Sequence, residues 1–112
     1  VCIKSGSIST KVDLFDYLEK IKLLNPGEII LTSINHDGTM KGYDIETFIK
    51  AKEILNIPII ASGGCGNYQH MADLLEKCSI SALSAASMYH FTEQTPLGAK
   101  KFLKRKGFKV RL

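Results

Sequence analysis

Three short apolar runs, beginning at residues 28, 58 and 80, each break into a loop of small, polar or hydroxyl residues. That repetition constrains this chain more than any other feature. The first run holds Ile29, Ile30 and Leu31 and gives way to a loop with Asp37, Gly38 and Gly42. The second holds Ile59, Ile60 and Ala61 and ends in Ser62, Gly63 and Gly64, while the third, 80–86, ends in Ala86 and Ser87. Apolar residues in succession leave no exposed face, which suits parallel strands covered on both sides. Between the runs the apolar residues recur at helical spacing: Ile45, Phe48, Ile49 and Leu55, then Met71, Leu74 and Leu75. Strands alternating with helices imply a parallel α/β sheet.

The punctuation agrees. Asp13 is placed to cap a helix over 13–24, along which Leu14, Leu18, Ile21 and Leu24 recur, and Asn25, Pro26 and Gly27 stop it. Asp44 and Asn67 stand where they can cap the next two helices, and Thr95 before Pro96 reads as an N-cap followed by Pro at the first helical position. A basic helix then runs to Lys106 and stops at Gly107. Residues 1–11 are polar, and Val1, Cys2 and Ile3 read as the end of a strand. The expectation is at most one domain over 1–112, and its start at Val rather than Met reads as that of a processed or incomplete chain. Three βα units cannot close an eight-stranded barrel, which takes about 250 residues. The pattern therefore leaves two architectures: a small open α/β sheet, or about half of a barrel.

Composition excludes several classes of function. Hydrophobic content of 45% and charged content of 23% are those of an ordinary globular chain, and no run approaches the roughly 18 apolar residues of a membrane span. The formal charge of +4 is misleading, because seven of the 15 basic residues lie in 100–112, where there is no acid. The remainder carries eight basic and 11 acidic residues, a net of −3. The tail reads as the wet face of a terminal helix and not as a nucleic-acid surface, since no aromatic residues interleave with its cations in the manner of nucleic-acid binders. Cys2, Cys65 and Cys78 are odd in number and unclustered, and His36, His70 and His90 are dispersed, so neither a disulfide framework nor a metal centre is expected. Free thiols suit a reducing cytoplasm, and no membrane partner or cofactor is expected.

In parallel α/β folds the ligand lies at the carboxyl ends of the strands. Those ends carry Thr32, Ser33, Asp37, Gly38 and Thr39, then Ser62, Gly63, Gly64, Cys65 and Gly66, then Ala86 and Ser87. Glycines admit a ligand close to the backbone, and their amides with a following helix start make an anion-binding nest. Asp37 either orients a substrate hydroxyl or bonds its own loop in an Asx turn. His36 is read as a solvated loop histidine, His90 as packed at a strand-to-helix junction, and Cys65 as filler in the glycine loop. A proton-transfer reaction needs a second acid or base, and the other two strand ends carry none.

Residues 28–44, followed by Ile-Pro-Ile-Ile-Ala-Ser-Gly-Gly-Cys-Gly and then Ala-Ala-Ser-Met-Tyr-His-Phe, resemble the carboxyl-terminal half of the HisF family, the cyclase subunits of imidazole glycerol phosphate synthase. The resemblance runs from about Gly27 to Arg111. It implies a (βα)₈ barrel of which this chain, 1–112, holds strands six to eight as a partial domain, the amino-terminal half being absent. It also implies an ammonia-using lyase: a glutaminase partner makes ammonia, which reacts with a ribulosyl-aminoimidazole substrate (PRFAR) carrying two phosphates, giving imidazole glycerol phosphate and AICAR. On this resemblance Gly63, Gly64, Ala86 and Ser87 hold one phosphate, with Thr32, Asp37 and Gly38 near the substrate. The family's acid–base aspartates end strands one and five, so no catalytic residue falls in this chain, and the chain alone is expected to be inactive.

Two departures from the family pattern are Asn35, where Asp is frequent, and Cys65, where Ala is usual. The related isomerase shares the Asp-Gly-Thr and Ser-Gly-Gly elements but usually ends its eighth strand differently. Residues 89–97 are also similar to HisF-like proteins thought to deliver ammonia for acetamidino groups on nucleotide-linked sugars in surface-polysaccharide synthesis. A non-catalytic phosphate-binding half-barrel is the reading from another class. A half-barrel is expected to self-associate, because its cut sheet edges expose unpaired backbone groups.

Overall fold

A computed structural model describes all of Val1–Leu112. Its elements, in order, are β1 (Cys2–Ile3), β2 (Ile8–Ser9), α1 (Leu14–Leu24), β3 (Ile29–Thr32), α2 (Ile45–Ile54), β4 (Ile59–Ser62), α3 (Tyr68–Lys77), β5 (Ala82–Leu83), α4 (Ser87–Phe91) and α5 (Pro96–Arg105). Strands β3, β4 and β5 form one parallel sheet in that order. Ile29 pairs with Ile59, Thr32 with Ser62, and Ala61 with Leu83, so the carboxyl ends of the strands lie level with one another. The alternating parallel βα order of the carboxyl half of a barrel is what the structure displays.

Capping follows the sequence closely. The Asp13 carboxylate accepts from the Phe15 and Asp16 amides, Asn67 accepts from the His70 amide, and Thr95 accepts from the Gly98 amide. Each satisfies backbone donors that a helix start leaves open. The left-handed residue that ends α1 is Asn25, at φ 47°, and not Gly27, because the chain turns one step before Pro26.

Helices α1, α2, α3 and α5 pack side by side, each against the next. Leu18 of α1, Phe48 of α2, Leu74 of α3 and Leu103 of α5 meet Ile59 and Ala61 of β4 in one apolar core that contains no buried polar side chain. The molecule is 21 Å across its thinnest axis, the depth of one helix layer on one sheet. The opposite face of the sheet has no cover. Ile30 is 67% exposed, and its register neighbours Ile60 and Ala82 are half-buried and exposed. The expectation of strands covered on both faces is therefore corrected: Ile59 and Ala61 meet helices, whereas the row through Ile30 meets nothing within this chain.

Three further differences have local causes. The third strand extends only over Ala82–Leu83, flanked by the Ser81 and Ser84 amides, which donate to the Ile59 and Ala61 carbonyls, before the backbone leaves β4. The backbone then turns at Ala86 (φ −130°, ψ −63°) into the short helix α4, which the apolar spacing does not announce. The first residues pair as a small antiparallel hairpin, Cys2 opposite Ser9, instead of standing as the end of a strand in the main sheet.

Removing the side chain of fully buried Phe48 (Phe48→Ala) is expected to cost about 3–5 kcal/mol in a denaturant titration. Asp13→Ala, which removes only a helix cap, is expected to cost about 1 kcal/mol.

Candidate functional site

The carboxyl edge of the sheet carries a cleft of ≈ 40 Å³ lined by Asp37, Gly38, Ser62, Gly63, Gly64, Cys65, Ser84, Ala85, Ala86 and Ser87. Six of the seven residues singled out from the sequence thus meet in one place. The seventh, Thr32, lies apart: it lines a groove along the free edge of β3 with Ser33 and Asn35.

The glycine loop at the end of β4 forms one wall. Gly63 and Gly64 have φ of +99° and +97°, a region that other residues enter only with strain. A Cβ at Gly63 would lie 2.7 Å from the Ser33 carbonyl oxygen, and one at Gly64 would collide with the carbonyl of Gly42 and crowd His36. The tight approach has a purpose, since the Gly42 amide donates to the Gly64 carbonyl at 2.7 Å and fastens the β3 loop to the β4 loop. Neither Gly63 nor Gly64 donates its own amide to another group of the chain. Behind the loop, the Gly66 amide donates to His70 Nδ1 at 3.1 Å and the Gln94 side-chain amide donates to the Gly66 carbonyl at 2.9 Å. His70 and Gln94 carry no signal in the sequence, because what each holds in the glycine loop is a backbone group of Gly66, and their side-chain partners Asn67 and Thr92 are only near neighbours in the chain.

Asp37 forms the opposite rim. Its amide donates to the Ser33 carbonyl at 2.8 Å, but its carboxylate has no partner within the chain, so the Asx-turn reading is set aside. His36 is not simply solvated. It is half-buried, with Nδ1 2.8 Å from Ser33 Oγ and 4.0 Å from Asp44 Oδ2. Both neighbours face the same ring nitrogen, so the three residues cannot relay a proton as a serine–histidine–aspartate triad does, where serine and carboxylate take opposite nitrogens. Asp44 is also committed to Thr47, whose hydroxyl donates to it at 2.7 Å, and caps α2. His90, expected to be packed, is exposed on α4.

Cys65 is buried beneath the cleft, with its Sγ 3.3 Å from Met88 Sδ. Burial pushes its thiol up from the ordinary range, only partly offset by hydrogen bonds with Tyr43 and Asn67. It stays a neutral thiol and fills space. The Tyr43 hydroxyl donates to the Ser84 carbonyl at 2.8 Å, tying the β3 loop to the end of β5, and burial drives its phenol far above the usual value. Burial also raises Cys78 and Tyr89. The three cysteines are free, and no three metal-ligating side chains converge anywhere in the chain.

Parallel βα units with a small polar cleft at the carboxyl edge of the sheet are the arrangement of α/β proteins that bind ligands at their strand ends, βα-barrels among them. The sequence model of the family described as "Histidine biosynthesis protein" matches residues 1–95, and this chain belongs to that family. It is 45% identical over all 112 residues to the imidazole glycerol phosphate synthase subunit HisF of Clostridium botulinum strain Kyoto. It is also 40% identical over 110 residues, 98% of its length, to the subunit of the same name from Staphylococcus aureus strain RF122. In both comparisons the chain spans 44% of the relative's length.

Two outcomes test this site. Gly64→Ala is expected to abolish the chemical-shift changes that inorganic phosphate induces at the Gly63 and Ser87 amides, whereas Ser87→Ala weakens binding by no more than about tenfold, the order of one hydrogen bond. The second is linkage. Groups whose folded pKa is raised contribute stability that is lost as pH climbs past their unfolded pKa. The melting temperature is therefore expected to fall from about pH 8.5, where unfolded thiols ionise, and more steeply near about pH 10, where unfolded phenols do. Tyr43→Phe is expected to flatten the upper part of that fall.

Proposed function

We propose that this chain is the substrate-phosphate side of an imidazole glycerol phosphate synthase cyclase, working in a cytoplasmic complex with a glutaminase. The observation that carries the reading is the convergence of Asp37, Gly38, Gly63, Gly64, Ala86 and Ser87 on one cleft in a chain 45% identical to a HisF subunit. The reaction takes ammonia and PRFAR to imidazole glycerol phosphate and AICAR. The free amides of Gly63 and Gly64 and the hydroxyl of Ser87 receive a phosphate of the substrate. A phosphate dianion and a carboxylate repel one another, so Asp37 serves the sugar by accepting its hydroxyl protons in hydrogen bonds, and the phosphate sits against the glycine wall.

Proton transfer belongs to aspartates that this chain does not carry. With no second acid or base in the cleft, the chain contributes binding and orientation, and placing a reactant correctly is itself a large share of catalysis. The partner glutaminase is needed only to generate ammonia, so ammonium salts replace it in a test of the cyclase.

The test is to mix the 112-residue chain with an amino-terminal half of the Clostridium botulinum HisF subunit and follow PRFAR consumption with ammonium as nitrogen donor. Turnover is expected in the mixture, none from either part alone, and none with Gly64→Ala. Phosphate binding by this chain without turnover in a complex of the two halves would sink the cyclase reading.

A further inference from the structure

Asp37 is followed by Gly38, and nowhere else in the chain does an aspartate or asparagine precede a glycine. The amide after an aspartate can attack that residue's own carboxyl and close a five-membered imide, an attack that a following side chain hinders. The other four aspartates are followed by Leu14, Tyr17, Ile45 and Leu74. The four asparagines are followed by Pro26, His36, Ile57 and Tyr68.

The structure sets Asp37 apart from the other aspartates on two further counts. Asp13 and Asp44 cap helices, Asp44 also accepts from the Thr47 hydroxyl at 2.7 Å, and Asp73 accepts from the Gln69 side-chain amide at 2.8 Å. The Asp37 carboxylate has no such partner. The amides that would attack are engaged as well. The Tyr17 amide, next to Asp16, donates to the Asp13 carbonyl at 3.1 Å, and the Ile45 amide donates to the Tyr43 carbonyl at 3.0 Å. Leu74 lies in the middle of α3, where each amide is taken by the helix. The Gly38 amide donates to no acceptor in the chain. Asp37 and Gly38 are both exposed, and a Cβ on Gly38, which stands at φ +77°, would meet nothing within 4 Å. A free nucleophile, a free carboxyl and room to rearrange coincide here alone.

We propose that Asp37 is a site of spontaneous modification, at which the chain converts its own aspartate to isoaspartate. The Gly38 nitrogen bonds to Asp37 Cγ, and the amide proton leaves with the hydroxyl of the protonated carboxyl as one water. Water then adds to the main-chain carbonyl of the imide, and the bond from that carbon to the Gly38 nitrogen breaks. The chain now runs through Cγ, one methylene longer, and the former main-chain carbon is a free carboxylate. Nothing is oxidised or reduced, and water is the only co-reactant.

The effect falls on the β3 loop. The Thr39 amide and hydroxyl both donate to the His36 carbonyl, at 3.0 and 2.7 Å, and close a turn that holds Asp37 and Gly38. A methylene added inside that turn opens it, and the remaining carboxylate is drawn one carbon back from the rim of the cleft. Loss of substrate binding as a result rests on the cyclase reading above, whereas the isomerisation does not.

The test ages the folded 112-residue chain at neutral pH and reads its tryptic peptide 23–41 by electron-transfer fragmentation, which breaks the Cα–Cβ bond of isoaspartate and not of aspartate. Isoaspartate is expected at Asp37 and at no other aspartate or asparagine, preceded by a form lighter by one water. The folded chain is expected to convert no more than about tenfold slower than the free peptide, because no hydrogen bond has to break first. Asp37→Glu, which would need a six-membered ring, is expected to abolish the product. Asp37→Asn reaches the same imide by releasing ammonia and is expected to form it faster. In the aged chain the Thr39 amide is expected to lose its protection from hydrogen exchange. A folded chain that keeps its aspartate while the free peptide isomerises would overturn the proposal, as would equal conversion at Asp13, Asp16, Asp44 or Asp73. The comparison of chain with peptide needs no variant, no ligand and no turnover, so it stands or fails separately from the cyclase reading.

Discussion

The hydrogen bond from the Gly42 amide to the Gly64 carbonyl is the contact on which the site depends. It draws two loops from neighbouring strands together so closely that a single added methyl on Gly64 would occupy the space of the partner carbonyl. The remaining order follows from it. With the loops joined, Asp37 and Gly38 stand opposite Gly63 and Gly64 across a small cleft, and Tyr43, just beyond Gly42, reaches Ser84 to fix the third strand end. Three strand ends are thereby bound together by backbone carbonyls and one phenol, without an ion pair. Neutral clamps of this kind leave the local field to whatever ligand arrives, apart from the Asp37 carboxylate.

The helix layer supports this edge from below. Ile59 and Ala61 of β4 hold the central strand against four helices, and Met88 and Cys65 fill the space directly under the cleft. The raised thiol and phenol pKa values have a single dominant cause, burial, and mark these groups as packing material. A nucleophilic cysteine has the opposite character, with a lowered pKa in an electropositive and accessible setting.

Much of this was legible in the residues. Asp13, Asn67 and Thr95 cap the helices that their positions announce, and the alternation of apolar runs with helical spacing gives the parallel sheet. That the glycine pair and Ser87 share one cleft was legible because parallel strands in register bring their carboxyl ends to one edge. What escaped has physical reasons. An isoleucine in a strand has the same letter whether or not something covers it, so the exposure of Ile30 was hidden. His70 and Gln94 hold backbone groups of the glycine loop, and a side chain bonded to backbone leaves no complementary residue to notice. The Asp37 carboxylate was ambiguous because Asp before Gly serves a turn as readily as a ligand, and only the placement of its side chain separates the two.

The parallel order of the sheet bears on how the chain is made. Strands β3, β4 and β5 add to the sheet in the order in which they leave the ribosome, each with a helix that packs on the one before. Synthesis at about 5–20 residues per second leaves each unit time to settle on its predecessor. The cleft, however, combines Asp37 with Ser87 and is fastened by a bond from Tyr43 to Ser84. The nascent chain therefore acquires its sheet gradually and this cleft in one step, when the end of β5 emerges and docks.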